Sequence, residues 1–422
     1  MAQRDPNIDL TALERIVVMA HRHLDVDAVY IVQMTKRGPV YRAAAGDTAS
    51  FGIAVDMDHP PEGAYCERLA AGEIPALIVD ADADGRVPDL PLAPSGRTGS
   101  FIGVPLRHSD GVLYGALCGL SLQPASHLDA RDVRLLSMMA DSLVGDLDKS
   151  RASEQLRSGV ERLVEDEDVA IAFQPIVDLQ DNRCLGVEAL ARFPDPFSRP
   201  DHTLATAERF GLSLELERLA VRKAWEVIPL LGEQQFVAVN VSPHVLVELA
   251  RRANQKEGLP LSQVVVEVTE HAAVESYTSL HRQLDPLRKA GLRLAVDDAG
   301  AGYASLRHVL ELRPDFIKVD RSLIDGIAFD HARRVAVSGF LSLALDLGST
   351  VVAEGVERPA DLEAVRDLGL HAVQGYLIAK PSTDLDKVVR WLGPPAVHPM
   401  TVPAHDRPLA RRGSSRRLAR QR

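Results

Sequence analysis

From Ala170 onward the chain is a succession of short apolar runs, each closing on a polar or charged residue and each followed by an amphipathic stretch. The runs are Ala172-Phe-Gln-Pro-Ile-Val, Cys184-Leu-Gly-Val-Glu, Phe236-Val-Ala-Val-Asn, Val264-Val-Val-Glu, Leu292-Arg-Leu-Ala-Val-Asp-Asp, Phe316-Ile-Lys-Val-Asp, Thr350-Val-Val-Ala-Glu and His371-Ala-Val-Gln-Gly. Strands that alternate with helical patterns specify βαβ units and a mainly parallel sheet. Eight of them within roughly 220 residues fit a closed (β/α)8-type barrel better than an open doubly wound sheet. No Gly-x-Gly-x-x-Gly follows the first run, which argues against a dinucleotide fold.

In such a barrel the C-terminal ends of the strands share the face that carries chemistry. The residues that close the runs are Glu188, Asn240, Glu267, Asp297 with Asp298, Lys318 with Asp320, Glu354 and Gln374. A single acid among them reads as a helix cap or a solvated loop residue. Six carboxylates converging on one mouth do not, because their mutual repulsion raises their pKa values steeply unless cations neutralise them. The set is all oxygen, without cysteine or a His-x-His pair, so it suits Mg²⁺ or Mn²⁺ and not zinc or copper. Asp297 and Asp298 in tandem could flank two ions, and two ions roughly 4 Å apart clamp an in-line phosphoryl displacement. Lys318 in the same mouth suits the added negative charge of the transition state. The residues themselves thus point to metal-dependent phosphodiester hydrolysis.

Gln174-Pro-Ile-Val, Glu188-Ala-Leu-Ala-Arg192, Asn240-Val-Ser, Glu267-Val-Thr-Glu270, Asp297-Asp-Ala-Gly-Ala-Gly-Tyr, Ile317-Lys-Val-Asp320, Glu354-Gly-Val-Glu and Gln374-Gly-Tyr, with Pro381 closing, resemble the EAL domain in order and spacing. The resemblance covers residues 166–395. It implies a modified (β/α)8 barrel with one antiparallel strand, and hydrolysis of cyclic di-GMP to the linear dinucleotide pGpG with two ions, Mg²⁺ or Mn²⁺. It further implies that Glu188, Asn240, Glu267 and Asp297 hold one ion, and that Asp297, Asp298, Asp320 and Glu354 serve the second. Catalytic roles would fall to Glu354 as general base, to Lys318 and Gln374 around the attacking water, and to Glu270 as a brace for its loop. Gln174, Leu190 and Arg192 would contact substrate, Arg192 through the fork of its guanidinium. The loop after the paired aspartates reads Ala299-Gly-Ala-Gly-Tyr-Ala-Ser where the family usually has Phe-Gly-x-Gly-Tyr-Ser-Ser, so Ala299 and Ala304 replace an aromatic and a hydroxyl. This loop links the second ion to the dimer contact in related domains, so the change bears on the strength and regulation of activity. A catalytically weak receptor for the same nucleotide is the competing reading.

Residues 10–148 resemble a GAF domain, which implies a mixed α/β sensor. The features are an opening helix from Leu10, Tyr65-Cys66-Glu, Phe101-Ile-Gly-Val-Pro-Leu, an Asp110-Gly turn, Val112-Leu-Tyr-Gly-Ala-Leu-Cys-Gly-Leu and a closing helix capped by Asp129. Two apolar runs around Asp-Gly form a β-hairpin. Asp80 to Gly99 reads as a long surface loop. Cys66 lacks the neighbouring His of pigment-binding relatives, so a small-molecule ligand or none is expected, with Cys66 and Cys118 as structural thiols. The helical pattern continues through a linker at 149–165. Its stripe of Leu156, Val160 and Leu163 fits either a packed spacer or a parallel coiled coil that pairs two copies of the chain.

Charge bounds the partners. The chain of 422 residues carries −11, yet the tail from His398 holds seven Arg and one Asp, which leaves about −17 on the rest. So acidic a body excludes a broad nucleic-acid or membrane-surface binder. No stretch approaches the roughly 18 apolar residues that span a bilayer, and three scattered cysteines fit a reducing, cytoplasmic setting. Residues 1–9 and the Arg-rich 396–422 are expected to be tails outside both domains.

Overall fold

The computed structural model describes residues 10–35, 38–57, 65–84, 98–242, 245, 260–268, 276–300 and 304–393. Glu270, residues 85–97 of the expected surface loop, residues 301–303 and both tails lie outside the described residues, as do the side chains of Cys66 and Ala304. The chain divides into two compact units between Gly159 and Val160.

In the first unit five strands form one antiparallel sheet: β1 (Ala28–Thr35), β2 (Gly38–Gly46), β3 (Leu77–Ile78), β4 (Ser100–Arg107) and β5 (Leu113–Ser121), in the order β2-β1-β5-β4-β3. Both faces are covered, so the strands read as apolar runs without clean alternation. Val29, Ile31, Ile102, Val104 and Leu106 face Leu13 and Val17 of the helix Leu10–Leu24 and Leu136 of the helix Ala130–Ser142. Tyr30, Phe101 and Cys118 face the other way, with Phe51 and Leu69. β5 crosses β1 closely at Gly115, where any Cβ would sit 1.8 Å from the Val32 carbonyl oxygen. The hairpin expected around Asp110-Gly is β4–β5, with Gly111 at φ +82°. Asp129 caps the closing helix through a reciprocal capping box with Asp132.

The helical pattern expected to run unbroken past Leu147 is two helices, Ala130–Ser142 and Val144–Glu165, parted at Leu143. Leu143 and Leu147 are buried in the first unit. Val160 and Leu163 are buried in the second, against Val169, Phe193, Leu216 and Leu219. Most of the stripe therefore serves intramolecular cores, as a packed spacer would, and Leu156 is exposed. No helix of the described residues is long and apolar enough to cross a membrane.

All eight apolar runs of the second unit are strands: β6 (Ala170–Asp178), β7 (Cys184–Arg192), β8 (Phe236–Asn240), β9 (Val264–Val268), β10 (Arg293–Ala299), β11 (Phe316–Val319), β12 (Thr350–Ala353) and β13 (Ala372–Val373). They close into a barrel. β6 runs antiparallel to both its neighbours, β13 and β7, and the other pairs are parallel. One buried layer within the barrel comprises Ile176, Phe236, Ala238, Val265, Ala295, Phe316, Val352 and Ala372. The intervening residues, such as Val237, Val264, Val266 and Val351, pack outward on the helices.

The hairpin tip of the first unit is tied to the helix Val144–Glu165. Asp148 accepts from the Ser109 backbone N–H at 3.3 Å and lies 2.9 Å from His108 Nδ1, while Arg151 donates to Asp110 at 2.9 Å. Hydrogen bonding from Ser109, aided by His108, holds the Asp148 carboxyl below its usual value. A carboxyl depressed in the folded state stabilises the fold above its unfolded pKa, near 4, and loses that contribution as pH falls through its folded value. Amide-exchange protection across β4 and β5, corrected for intrinsic rates, should therefore weaken below about pH 4. Asp148→Asn should flatten that dependence; an unchanged pH profile in this variant would show that Asp148 does not supply it.

Candidate active site

Alternation along the strands builds the site directly. Side chains two apart on a strand share a face, so each member of the interior layer has a partner one layer higher. Ala238 leads to Asn240, Val265 to Glu267, Ala295 to Asp297, Phe316 to Lys318, Val352 to Glu354 and Ala372 to Gln374. Glu188 follows Gly186 in the same way. β6 runs in reverse, so the residue that reaches this level precedes the layer: Gln174 lies two before Ile176 and pairs across the ladder with Glu188.

Lys318 stands at the centre and is almost wholly buried. Its Nζ lies 2.8 Å from Glu267, 2.9 Å from Asp297, 2.9 Å from Glu354 and 3.5 Å from Glu188. Burial alone would lower the pKa of this ammonium, but the four carboxylates reverse that and hold it well above the usual lysine value. Burial drives the Glu267 and Glu354 carboxyls well above the ordinary range, against the pull of Lys318 and with Asp297 and Glu188 adding repulsion. Burial also pushes Glu188 upward, yet Lys318 and the Gln374 amide outweigh it and leave this carboxyl below its usual value.

Two amides complete the inner ring. Asn240 donates to Glu188 Oε1 at 3.2 Å, and Gln374 Nε2 donates to Glu188 Oε2 and, at 3.0 Å, to Gln174 Oε1. Gln174 donates onward to the Ala379 carbonyl oxygen at 2.9 Å. Asp298, next to Asp297, takes a left-handed φ of +54°. Asp320 begins the helix Arg321–Ile324, where its Oδ1 accepts from the Ser322 N–H. Arg192 ends β7 half-buried, with Nη1 on the Ala191 carbonyl, and Leu190 is half-buried on the same strand.

One negative surplus remains: four carboxylates face a single ammonium. Glu188, Glu267 and Asp297 each offer a carboxylate oxygen within 4.8 Å of the others, and so do Asp297, Asp298 and Glu354. Asp297 belongs to both groups, and its buried Oδ1 has the Lys318 ammonium at 2.9 Å as its charge partner. Two overlapping oxygen sites that share one carboxylate suit hard divalent cations.

Residues 157–381, more than half of the chain, match the family model of the EAL domain. The chain belongs to the EAL family. Residues 10–145 match the GAF domain model, so a GAF domain precedes the EAL barrel. Among curated relatives, cyclic di-GMP phosphodiesterase NbdA of Pseudomonas aeruginosa is 31% identical over 309 residues, covering 69% of this chain and 39% of NbdA. The probable cyclic di-GMP phosphodiesterase PdeN of Escherichia coli is 31% identical over 275 residues, covering 62% of this chain and 53% of PdeN. The chain thus spans well under two thirds of the length of either relative. Of solved structures, the PaMucR phosphodiesterase in complex with c-di-GMP superposes with a TM-score of 0.50 at 28% identity, over 55% of this chain and 99% of that one. The EAL enzyme Bd1971 shares the fold over 86% of this chain and 92% of its own, with a TM-score of 0.52 at 18% identity.

Two things in this EAL site escape sequence reasoning: the Ala379 carbonyl, and the packing roles of Gly355 and Gly375, which stand in the quoted motifs without a role. The Arg321 side chain lies over Gly355, where a Cβ would come within 2.6 Å of it. Gly375 presses against the Val356 backbone, with only 2.2 Å between the carbonyl oxygen and an ideal Cβ. The glycines that follow Glu354 and Gln374 were the available signal.

Removing one member of a buried charge cluster leaves the others uncompensated, at roughly 3–5 kcal/mol. Lys318→Met should lower the stability of the metal-free barrel by about that much, read as a fall in the urea midpoint of Trp225 and Trp391 fluorescence, both residues lying in the second unit. An unchanged midpoint would mean that the carboxylates do not depend on this ammonium.

Proposed function

We propose that this protein hydrolyses cyclic di-GMP to linear pGpG in its EAL barrel, under the control of its GAF domain. The observation that carries the reading is the pair of carboxylate groups sharing Asp297 around Lys318 at the barrel mouth. The names of NbdA and PdeN support the substrate. Glu188, Asn240, Glu267 and Asp297 are the ligands for one ion, and Asp297, Asp298, Asp320 and Glu354 serve the second, with Mg²⁺ or Mn²⁺ as the fitting metals. Bound there, the ions supply Lewis acidity to the phosphodiester and to the water that attacks it.

The chain's own residues do the rest. Glu354, held at the barrel mouth within 2.9 Å of Lys318, is the general base that takes a proton from the water. The water oxygen bonds to phosphorus, the bond from phosphorus to the 3′-oxygen breaks, and that oxygen takes up a proton. Lys318 steadies the water or the phosphate oxygens, and Gln374 helps to hold the water. Arg192 clasps the phosphate, Leu190 lies alongside the substrate, and Glu270 braces the loop after β9. The domains are a sensor at 10–148 and a catalytic barrel at 166–395, joined at 149–165. The protein works in the cytoplasm as a homodimer, and a small molecule is the fitting ligand for the sensor.

Full-length protein with Mg²⁺ or Mn²⁺ should convert cyclic di-GMP to pGpG, and Glu188→Ala should abolish turnover. Tight nucleotide binding without product would instead favour a receptor. Cation at 100 times its Kd should stabilise the fold by about 2.7 kcal/mol, and this gain should vanish with chelator. A thermal midpoint indifferent to Mg²⁺, Mn²⁺ and chelator alike would overturn the metal assignment.

A further inference from the structure

Gln174 is buried at the level of the carboxylates, and both ends of its carboxamide are engaged by protein. The Ala379 carbonyl can only accept a hydrogen bond, so the group that meets it must be the Gln174 NH₂. The Gln174 oxygen is then turned toward Gln374, which must present its own NH₂ in return. That same NH₂ also reaches Glu188 Oε2. The backbone carbonyl thus sets the polarity of Gln174, and Gln174 together with the Glu188 carboxylate sets that of Gln374. Gln374 Oε1 is what remains: a buried acceptor without a hydrogen bond.

The carbonyl at the head of this relay is itself fixed. Gly375 permits the close pass along Val356, whose N–H donates to the Gln374 carbonyl at 3.1 Å. The chain then turns back, with the N–H groups of Ile378 and Ala379 donating to Gly375 O. Three residues on, Ser382 pairs with Phe173, the neighbour of Gln174, through two backbone hydrogen bonds of 2.9 Å. The turn that follows Gln374 therefore supplies the carbonyl that orients Gln174, which in turn orients Gln374.

We infer that Gln174 is a positioning residue: it locks the carboxamide of Gln374 with its NH₂ on Glu188 and its oxygen free to accept a hydrogen bond from the attacking water. This deepens the hydrolase reading and rests on it for the identity of the water. Without the lock, the Gln374 amide can rotate and present its NH₂ to the water, a donor where an acceptor is needed. A residue that touched substrate through the same carboxamide would instead govern KM.

The test is Gln174→Met, with Gln374→Met and the double variant, each checked for a native far-UV spectrum. Losing an outer-shell partner typically costs about 10- to 100-fold in activity. Gln174→Met should lower kcat by about that factor with KM within about threefold, and adding Gln374→Met should cost less than about threefold more, because both changes break one chain of contacts. In metal-free protein labelled with ¹⁵N-glutamine, the Gln374 carboxamide signal, assigned by its loss in Gln374→Met, should show slowed proton exchange that Gln174→Met removes. A raised KM at unchanged kcat, multiplicative losses in the double variant, or an amide still protected in Gln174→Met would each overturn the inference. If Gln174→Met does not fold, Gln174→Asn, too short to span both partners, takes its place with the same outcomes. Wild-type protein that fails to turn over cyclic di-GMP would overturn the hydrolase reading instead, and amide exchange would still decide the relay.

Discussion

The second unit depends on one buried ammonium. Four carboxylates at one level of a closed barrel repel one another across a medium that screens poorly, and Lys318 lies within 3.5 Å of all four. It holds the cluster together without neutralising it. A barrel filled with valine and phenylalanine to this level would be more stable, since buried ion pairs seldom repay their desolvation. The charge deficit is thus a cost to the fold, and it is what suits the mouth to cations. The acidity of the whole chain looks at first like a bar to a phosphate-bearing ligand. In the proposed reaction it becomes, locally, the means of binding one, since metal ions can stand between the two sets of negative charge.

Geometry adds a second constraint. Interior residues of the strands come in layers, and the site is the layer above Ala238, Val265, Ala295 and Phe316. A one-residue slip in any strand would turn its carboxylate outward into the helices and bring a valine in. Register is therefore shared between stability and chemistry: the apolar layer below fixes the heights of the groups above it. The helices contribute mainly by covering the outer valines, which explains why every residue of β9 is buried, with Glu267 in the mouth.

Much of this was legible in the sequence. Each run that ended on a polar residue proved to be a barrel strand, and seven of those residues sit one layer above the core because the pleat repeats every two residues. The pairing of Phe101 to Leu106 with the run after Asp110-Gly was equally plain, because a turn signal lay between two apolar stretches. What could not be read was contact across long separations. The motif places Gln174 near substrate, but nothing in it points to the contacts with Gln374 and Ala379, two hundred residues away. Asp320 looked like one more metal ligand, and its carboxylate also caps the next helix, a task that competes for the same oxygens. The break at Leu143 was invisible because Leu143 itself keeps helical angles and only the hydrogen bonding lapses.

The reversed strand β6 decides where the polypeptide joins the barrel. In an all-parallel barrel the first strand starts at the base, far from the chemistry, and whatever precedes it is attached there. Here Ala170 pairs with Arg192, at the end of β7 that carries the phosphate-binding candidate. The helix Val144–Glu165 consequently hands the chain over at the rim of the catalytic mouth, and its buried Val160 and Leu163 pack on Phe193, the residue after Arg192. A tug or twist on that helix is applied next to Arg192, not across the diameter of the barrel.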